Sequence, residues 1–192
     1  MSTVAAPQVH LWTRQEYQQM AALGLFTHQR VELIEGQVVD MSPMGSEHAT
    51  AVTLAAHTIT RAFGAGYVVR WQMPFGVGAL SEPEPDVAVI VGDARDYTAA
   101  HPTAAVLLVE VADTSLAYDR TEKASLYAKA WVTDYWLLNL VQRQLEVHRD
   151  PVADSTAPYG FRYAMTIVYA TTEQVTPLAL PHIRIAVAEM LP

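Results

Sequence analysis

Residues 104–111, AAVLLVEV, decide the fold class. The run is apolar without the alternation of a half-exposed strand, which is the pattern of a central strand covered on both faces. Helices must then supply the cover, and helical signals stand on both sides of it. Downstream, Asp119 occupies the place of an N-cap with Glu122 at the third helical position. Ala124, Tyr127, Ala128 and Trp131 make its inner face, predicting a helix to about Val132. Residues 135–140 (YWLLNL) and 144–149 (QLEVHR) then read as a strand pair around Val141-Gln142-Arg143. Upstream, the apolar run 87–91 opens from Ser81-Glu82-Pro83-Glu84-Pro85-Asp86, whose prolines fix where that strand can begin.

Further out, Thr13 and Glu16 form a T-x-x-E capping box for a short helix that Gly24 stops. Residues 30–41 (RVELIEGQVVDM) read as a hairpin turning at Glu35-Gly36. A second helix is expected from a cap at Ser46, with Ala49, Val52, Ala56, Ile59 and Phe63 on one stripe. Residues 67–73 (YVVRWQM), 161–169 and 175–180 have strand composition. Strands and helices interleaved in this way predict a mixed α/β fold, and neither repeat nor linker divides residues 1–192, so one domain is expected.

Composition narrows the chemistry. Hydrophobic residues make up 51% and charged ones 17%, which excludes a disordered or low-complexity chain. With no cysteine, thiol catalysis, disulfide frameworks and zinc ribbons are excluded, leaving His, Asp, Glu and backbone oxygen as metal ligands. Twelve Lys and Arg against 20 Asp and Glu give a net charge of −8, with the cations scattered, so a broad basic nucleic-acid face is not expected. MSTVAAPQVHLWTR lacks the basic start and apolar core of a leader, and no apolar run approaches the ~20 residues of a membrane span. A soluble cytoplasmic protein is the expectation. No G-x-S-x-G elbow, H-E-x-x-H pair or G-x-x-x-x-G-K loop occurs, and Gly76-Val77-Gly78 lacks the third glycine of a dinucleotide loop.

Among single residues, Glu110 carries the most information. A carboxylate between Val109 and Val111 in an apolar strand loses hydration at a cost of several kcal/mol unless it is paired or metal-bound. Asp86 opens the preceding strand. If the two strands are parallel neighbours, both carboxylates lie close enough for a hard cation such as Mg²⁺, which takes one or two carboxylates and keeps several waters. Taken alone, an Asp after Pro serves turn chemistry as readily. Lys123, in the first turn of the helix capped by Asp119, can bring an ammonium beside a phosphate, although a lone lysine there is ordinarily solvated. Glu32 lies on the hairpin face opposite Val31 and Leu33, and His48 falls in the first turn of the second helix.

The order RVELIEGQVVDMSP, EPEPDVAVIV, VLLVEVADTS and DRTEKASLYAKAWVTDYWLLN resembles the Uma-type restriction endonuclease family, a branch of the PD-(D/E)XK nuclease superfamily. The resemblance runs from Thr13 to Arg149. It implies a restriction-endonuclease-like core, a central mixed β-sheet flanked by helices, and a metal-dependent endonuclease acting on DNA with Mg²⁺ or Mn²⁺. By position, Asp86 matches the aspartate of the Pro-Asp motif and Glu110 the second acid, with the Val111 carbonyl as a further metal ligand. Ala112 stands where the superfamily has its lysine, and Lys123 matches the lysine shifted to the following helix. Glu32 and His48 match the glutamate of the early hairpin and the histidine of the next helix. Asp113-Thr114 replaces Ser-Pro, Trp131 replaces a glycine and Asn139 an aspartate, departures that bear on loop geometry and substrate contacts. The expected chemistry is a water activated by the cation and oriented by Lys123, with a homodimer compatible with the apolar content. The acidic balance keeps open a catalytically silent nuclease-fold binding or assembly module, and the same site could serve a small-molecule or nucleotide hydrolase.

Overall fold

The computed structural model describes residues 8–192. The first seven residues of the stretch read above for a leader lie outside them. Six strands form one sheet in the order β3-β4-β5-β6-β7-β8. These are β3 (Tyr67–Arg70), β4 (Val87–Val91), β5 (Leu107–Ala112), β6 (Asp134–Asn139), β7 (Gln144–Ala153) and β8 (Phe161–Ala170). Only β5 and β6 run parallel; the other neighbours are antiparallel, so the sheet is mixed as expected. The strand centred on residues 104–111 begins only at Leu107, and every residue from there to Ala112 is buried.

The two sides of the sheet have separate cores. Valines 87, 89 and 109, with Trp136 and Leu138, face α2 (Ser46–Phe63), whose Val52, Ala56, Ile59 and Phe63 pack on them. Ala88, Leu108 and Leu137 face the opposite way, onto Leu126, Tyr127 and Ala128 of α4 (Ala124–Lys129). Because side chains alternate along a strand, Glu110 shares the side of Leu108, the α4 side. Trp136 is fully buried and its indole N–H donates to Asp134 at 2.8 Å, which in turn accepts from Arg149 at 2.9 Å. A buried indole N–H has to find such a partner.

The hairpin of β1 (Val31–Ile34) and β2 (Gln37–Asp40) forms a separate ribbon. Glu35 and Gly36 turn it with φ +47 and +80, the left-handed pair of a two-residue turn. Gly36 is required twice over, because a Cβ there would meet the Leu11 Cβ at 2.6 Å. Hydrogen bonds from Gly36 to Leu80 and from Glu82 to Leu33 fasten the ribbon to the Pro-rich approach to β4. Helix α1 (Arg14–Ala22) starts at the expected capping box, with Thr13 and Glu16 bonding reciprocally, and its Tyr17 packs on Val31 and Leu33.

Several expectations need correction. Ser46 is the first residue of α2 and not its cap; Gly45 is, without a side-chain bond, as a residue lacking a side chain must be. Asp119 is no N-cap either. The helix starts a turn earlier at α3 (Leu116–Tyr118), continues through a π-helical turn over Asp119–Lys123, and runs into α4, ending at Lys129. The strand expected over 175–180 shrinks to β9 (Gln174–Val175), paired with β10 (Ile185–Ala186), since Pro177 cannot extend it. Tyr67–Arg70 stops short of Met73 because Gln72 takes a left-handed backbone, φ +52.

Candidate active site

Four elements meet at the β4–β5 end of the sheet. The condition of parallel strands set for bringing Asp86 and Glu110 together is not met: β4 and β5 are antiparallel. The two acids come together nonetheless. Val87 pairs with Val109, so the register continued by one residue sets Asp86 opposite Glu110. They are tied crosswise, the Asp86 N–H donating to Glu110 Oε2 at 3.1 Å and the Val111 N–H to Asp86 Oδ2 at 2.9 Å. One step further the register would face Val111 with Pro85, which has no N–H to give. The Val111 carbonyl therefore receives no ladder bond from that strand, and Val111 lines the neighbouring cavity.

Lys123 enters from the π-helical turn. Its Nζ lies 2.6 Å from Glu32 Oε2 and 3.3 Å from Glu110 Oε1, and it is almost wholly buried between the hairpin and β5. The extra residue of a π-turn shifts side chains relative to a regular helix, and such turns recur at functional sites. Here it is held from outside, the Tyr135 hydroxyl donating to the Asp119 carbonyl at 3.1 Å. Four residues on from Lys123, Tyr127 presents its hydroxyl to Glu110 Oε1 at 2.5 Å. Glu32 is set on the hairpin at its fixed register, and an ion pair between Lys129 and Glu35 at 2.6 Å ties that hairpin to α4. His48, in the first turn of α2, reaches Asp86 Oδ2 with its Nε2 at 3.4 Å.

Burial and charge set the protonation of these groups. Burial pushes Glu110 up to about 8, against the pull of Lys123. Asp86 is equally buried, yet hydrogen bonds from His48, the Val111 amide and Gln72 outweigh that burial and hold it below the usual carboxylate range. Burial opposes the charge on Lys123 too, but Glu110 and Glu32 raise its pKa, so the ammonium stays protonated. The hydrogen bond to Asp86 raises His48 in spite of burial. Asp119, which accepts from the Ser115 hydroxyl at 2.6 Å, is pushed by burial to about 6.

All of Glu32, His48, Asp86, Glu110, Val111 and Lys123 border one cavity of about 360 Å³. A family model with the description "Putative restriction endonuclease", Uma2, matches residues 14–188. The chain belongs to the Uma2 family. A solved structure described as a putative nuclease belonging to DUF820 from Anabaena variabilis ATCC 29413 matches with a TM-score of 0.69 at 13% identity, over 93% of this chain and 96% of that one. At that identity the likeness is one of fold, and the six-stranded mixed sheet with helices on both sides is the nuclease-type core the sequence led us to expect. The comparison with curated proteins yields no match.

In this Uma2 chain, sequence reasoning passed over Asp119 on the cavity wall and two groups that hold its acids, Tyr127 and Gln72. Tyr127 was read as core, as its burial warrants, and the signal for its second role is its spacing of four from Lys123 on the same helical face. Asp119 was read as a cap. Gln72, whose amide donates to Asp86 Oδ1 at 3.2 Å, carries no sequence signal, because only its left-handed backbone turns it inward. Among the described residues no three His, Asp or Glu side chains converge as a metal-binding cluster. The donors present do fit Mg²⁺ or Mn²⁺, ions satisfied by two carboxylates, a backbone carbonyl and water. The Val111 carbonyl, left without a ladder donor by Pro85, is the backbone oxygen such a set could draw on.

Proposed function

We propose that this Uma2-family chain is a single-domain, cytoplasmic endonuclease that hydrolyses DNA phosphodiester bonds with Mg²⁺ or Mn²⁺. The observation that carries the proposal is the meeting of Asp86, Glu110 and Lys123 at one cavity from three separate elements. A cation held by Asp86, Glu110 and the Val111 carbonyl would supply Lewis-acid polarisation of the phosphodiester and a more acidic water. Lys123 acts as a donor and not as a base, since its two acid neighbours keep it protonated; it orients a water and offsets charge on the phosphate. Glu32 holds that ammonium in place, a positioning role. Tyr127 fixes the Glu110 carboxylate, and His48, on Asp86, offers a proton at the cavity wall.

The alternative of a catalytically silent module draws on one observation: the ammonium is sealed between two carboxylates in an acidic chain. One experiment separates the two readings. Supercoiled plasmid and single-stranded DNA are incubated with Mn²⁺, Mg²⁺ or chelator, using wild type and Glu110→Ala purified identically. Metal-dependent nicking that the variant lacks is the expected result. Absence of cleavage by wild type with either metal would move the assignment to the silent module.

The proposal includes a homodimer. Strand β8 is a ten-residue sheet edge, without a charged side chain from Tyr163 to Ala170 and with Met165, Ile167 and Val168 exposed. Natural edges of this length carry charges, prolines or bulges against pairing, and antiparallel pairing with a second copy would be self-complementary. Light scattering of wild type and Ile167→Lys tests it, a monomeric wild type counting against the dimer.

A further inference from the structure

A groove of about 240 Å³ opens beside the candidate active site, between α2 and the end of β3. Ala49, Val52 and Ala56 form its floor, while Trp71, Met44 and His57 wall it. No Asp, Glu, Lys or Arg lines it, in contrast to the acidic cavity next door. Met44 borders both spaces. Gln72 joins them physically, its Nε2 lying 3.1 Å from the Met44 Sδ and 3.2 Å from Asp86 Oδ1. Beside it Trp71 is left 47% exposed. The backbone explains the pair: the left-handed turn at Gln72, held by its N–H to the Pro85 carbonyl at 3.0 Å, sends the amide to Asp86 and leaves the indole at the groove.

The groove's chemistry points to a flat, uncharged ring. Its volume falls below the roughly 300–1,000 Å³ of sites for drug-sized ligands, which leaves room for one ring system. An indole wall over an apolar floor can stack with any base, the sequence-tolerant contact that single-strand-binding proteins use alongside their contacts to the backbone. Resting on the endonuclease reading above, we infer that this groove takes an unstacked nucleobase adjoining the phosphate at Asp86, so that the preferred substrate is single-stranded or locally unpaired DNA. A base inside a duplex is stacked on both faces and offers Trp71 none. The net charge of −8 limits phosphate contacts with any strand, so base stacking has to supply the larger share of the binding.

The test reads binding without cleavage, so that it stands apart from the test of activity. A short fluorescein-labelled single strand, its duplex and an abasic version of the strand are titrated in chelator and in Ca²⁺, following anisotropy. The single strand is expected to bind at least about ten-fold more tightly than the duplex, and the abasic strand to lose most of that advantage. Trp71→Ala should weaken single-strand binding by about five-fold to a hundred-fold, and Trp71→Phe should keep most of it. Melting curves of both variants check that the fold is intact. Equal affinity of wild type and Trp71→Ala, tighter duplex binding, or no binding of any strand overturns the inference. Trp71-dependent binding in a protein that never cleaves would leave the groove assigned and the endonuclease reading rejected.

Discussion

Lys123 is the residue on which this site balances. Its ammonium is the buried ion-pair partner of Glu32 and lies against Glu110, and removing one member of such a pair leaves an uncompensated charge that costs about 3–5 kcal/mol. Lys123→Met should lower unfolding stability by that order in urea titrations. Adding Glu32→Gln should recover part of the loss, since the two side chains share one interaction. If the two losses simply add, the ion pair carries no coupling. His148 illustrates a different residue-scale effect. Burial holds its pKa down at about 4, and its Nε2 has no hydrogen-bond partner among the described residues, while the ring stacks on Tyr135. Between about pH 6.5 and 4 the unfolded chain therefore binds a proton that the native chain does not, and acid favours unfolding across that window. The contribution is about 3 kcal/mol at most. His148→Phe should flatten this part of the pH–stability curve, measured as the difference from wild type. Of these residues, Glu110 was legible because a carboxylate is conspicuous in an apolar run. Tyr127 was not, since a tyrosine on a buried helical face reads the same whether or not its hydroxyl meets an acid.

At the scale of elements, what the sequence disclosed was local chemistry. The Thr13–Glu16 capping box and the Glu35-Gly36 turn depend on neighbours within a few residues, and both stand as read. The π-turn over Asp119–Lys123 and the direction of β4 relative to β5 depend on partners far along the chain, and no local pattern encodes them. Trp131 lies between these cases. It was read as part of the inner helical face, but it follows the α4 C-terminus with φ +56 and is 63% exposed; helices favour glycine at that position, the residue usual there in the family the chain resembles. An L side chain there costs about 1–2 kcal/mol in backbone strain. Trp131→Gly should accordingly be more stable than Trp131→Ala by about 1 kcal/mol, the reverse of the usual order for these residues at a helix. Thermal melts of the two variants decide it. Alanine as the more stable replacement would mean that the turn relaxes out of its left-handed form.

Considered as a whole molecule, the fold builds its site by bringing a sheet end, a helix and a separate ribbon to one point, and no helix of the described residues is long and apolar enough to cross a membrane. The chain has only two lysines, Lys123 and Lys129. One is sealed at 2% side-chain exposure, the other open at 37%. That contrast makes the protein its own reporter of breathing motions. An amine-acylating reagent should modify Lys129 promptly and spare Lys123, whose nucleophilic lone pair is both out of reach and protonated. Peptide mapping over time would then give the rate at which the hairpin lifts away from β5, because Lys123 can react only when its salt bridges open. Prompt acylation of both lysines would show that the ribbon parts from the sheet far more readily than its buried ion pair implies. A slow second labelling phase would instead make a single covalent mark into a clock for access to the candidate catalytic chamber.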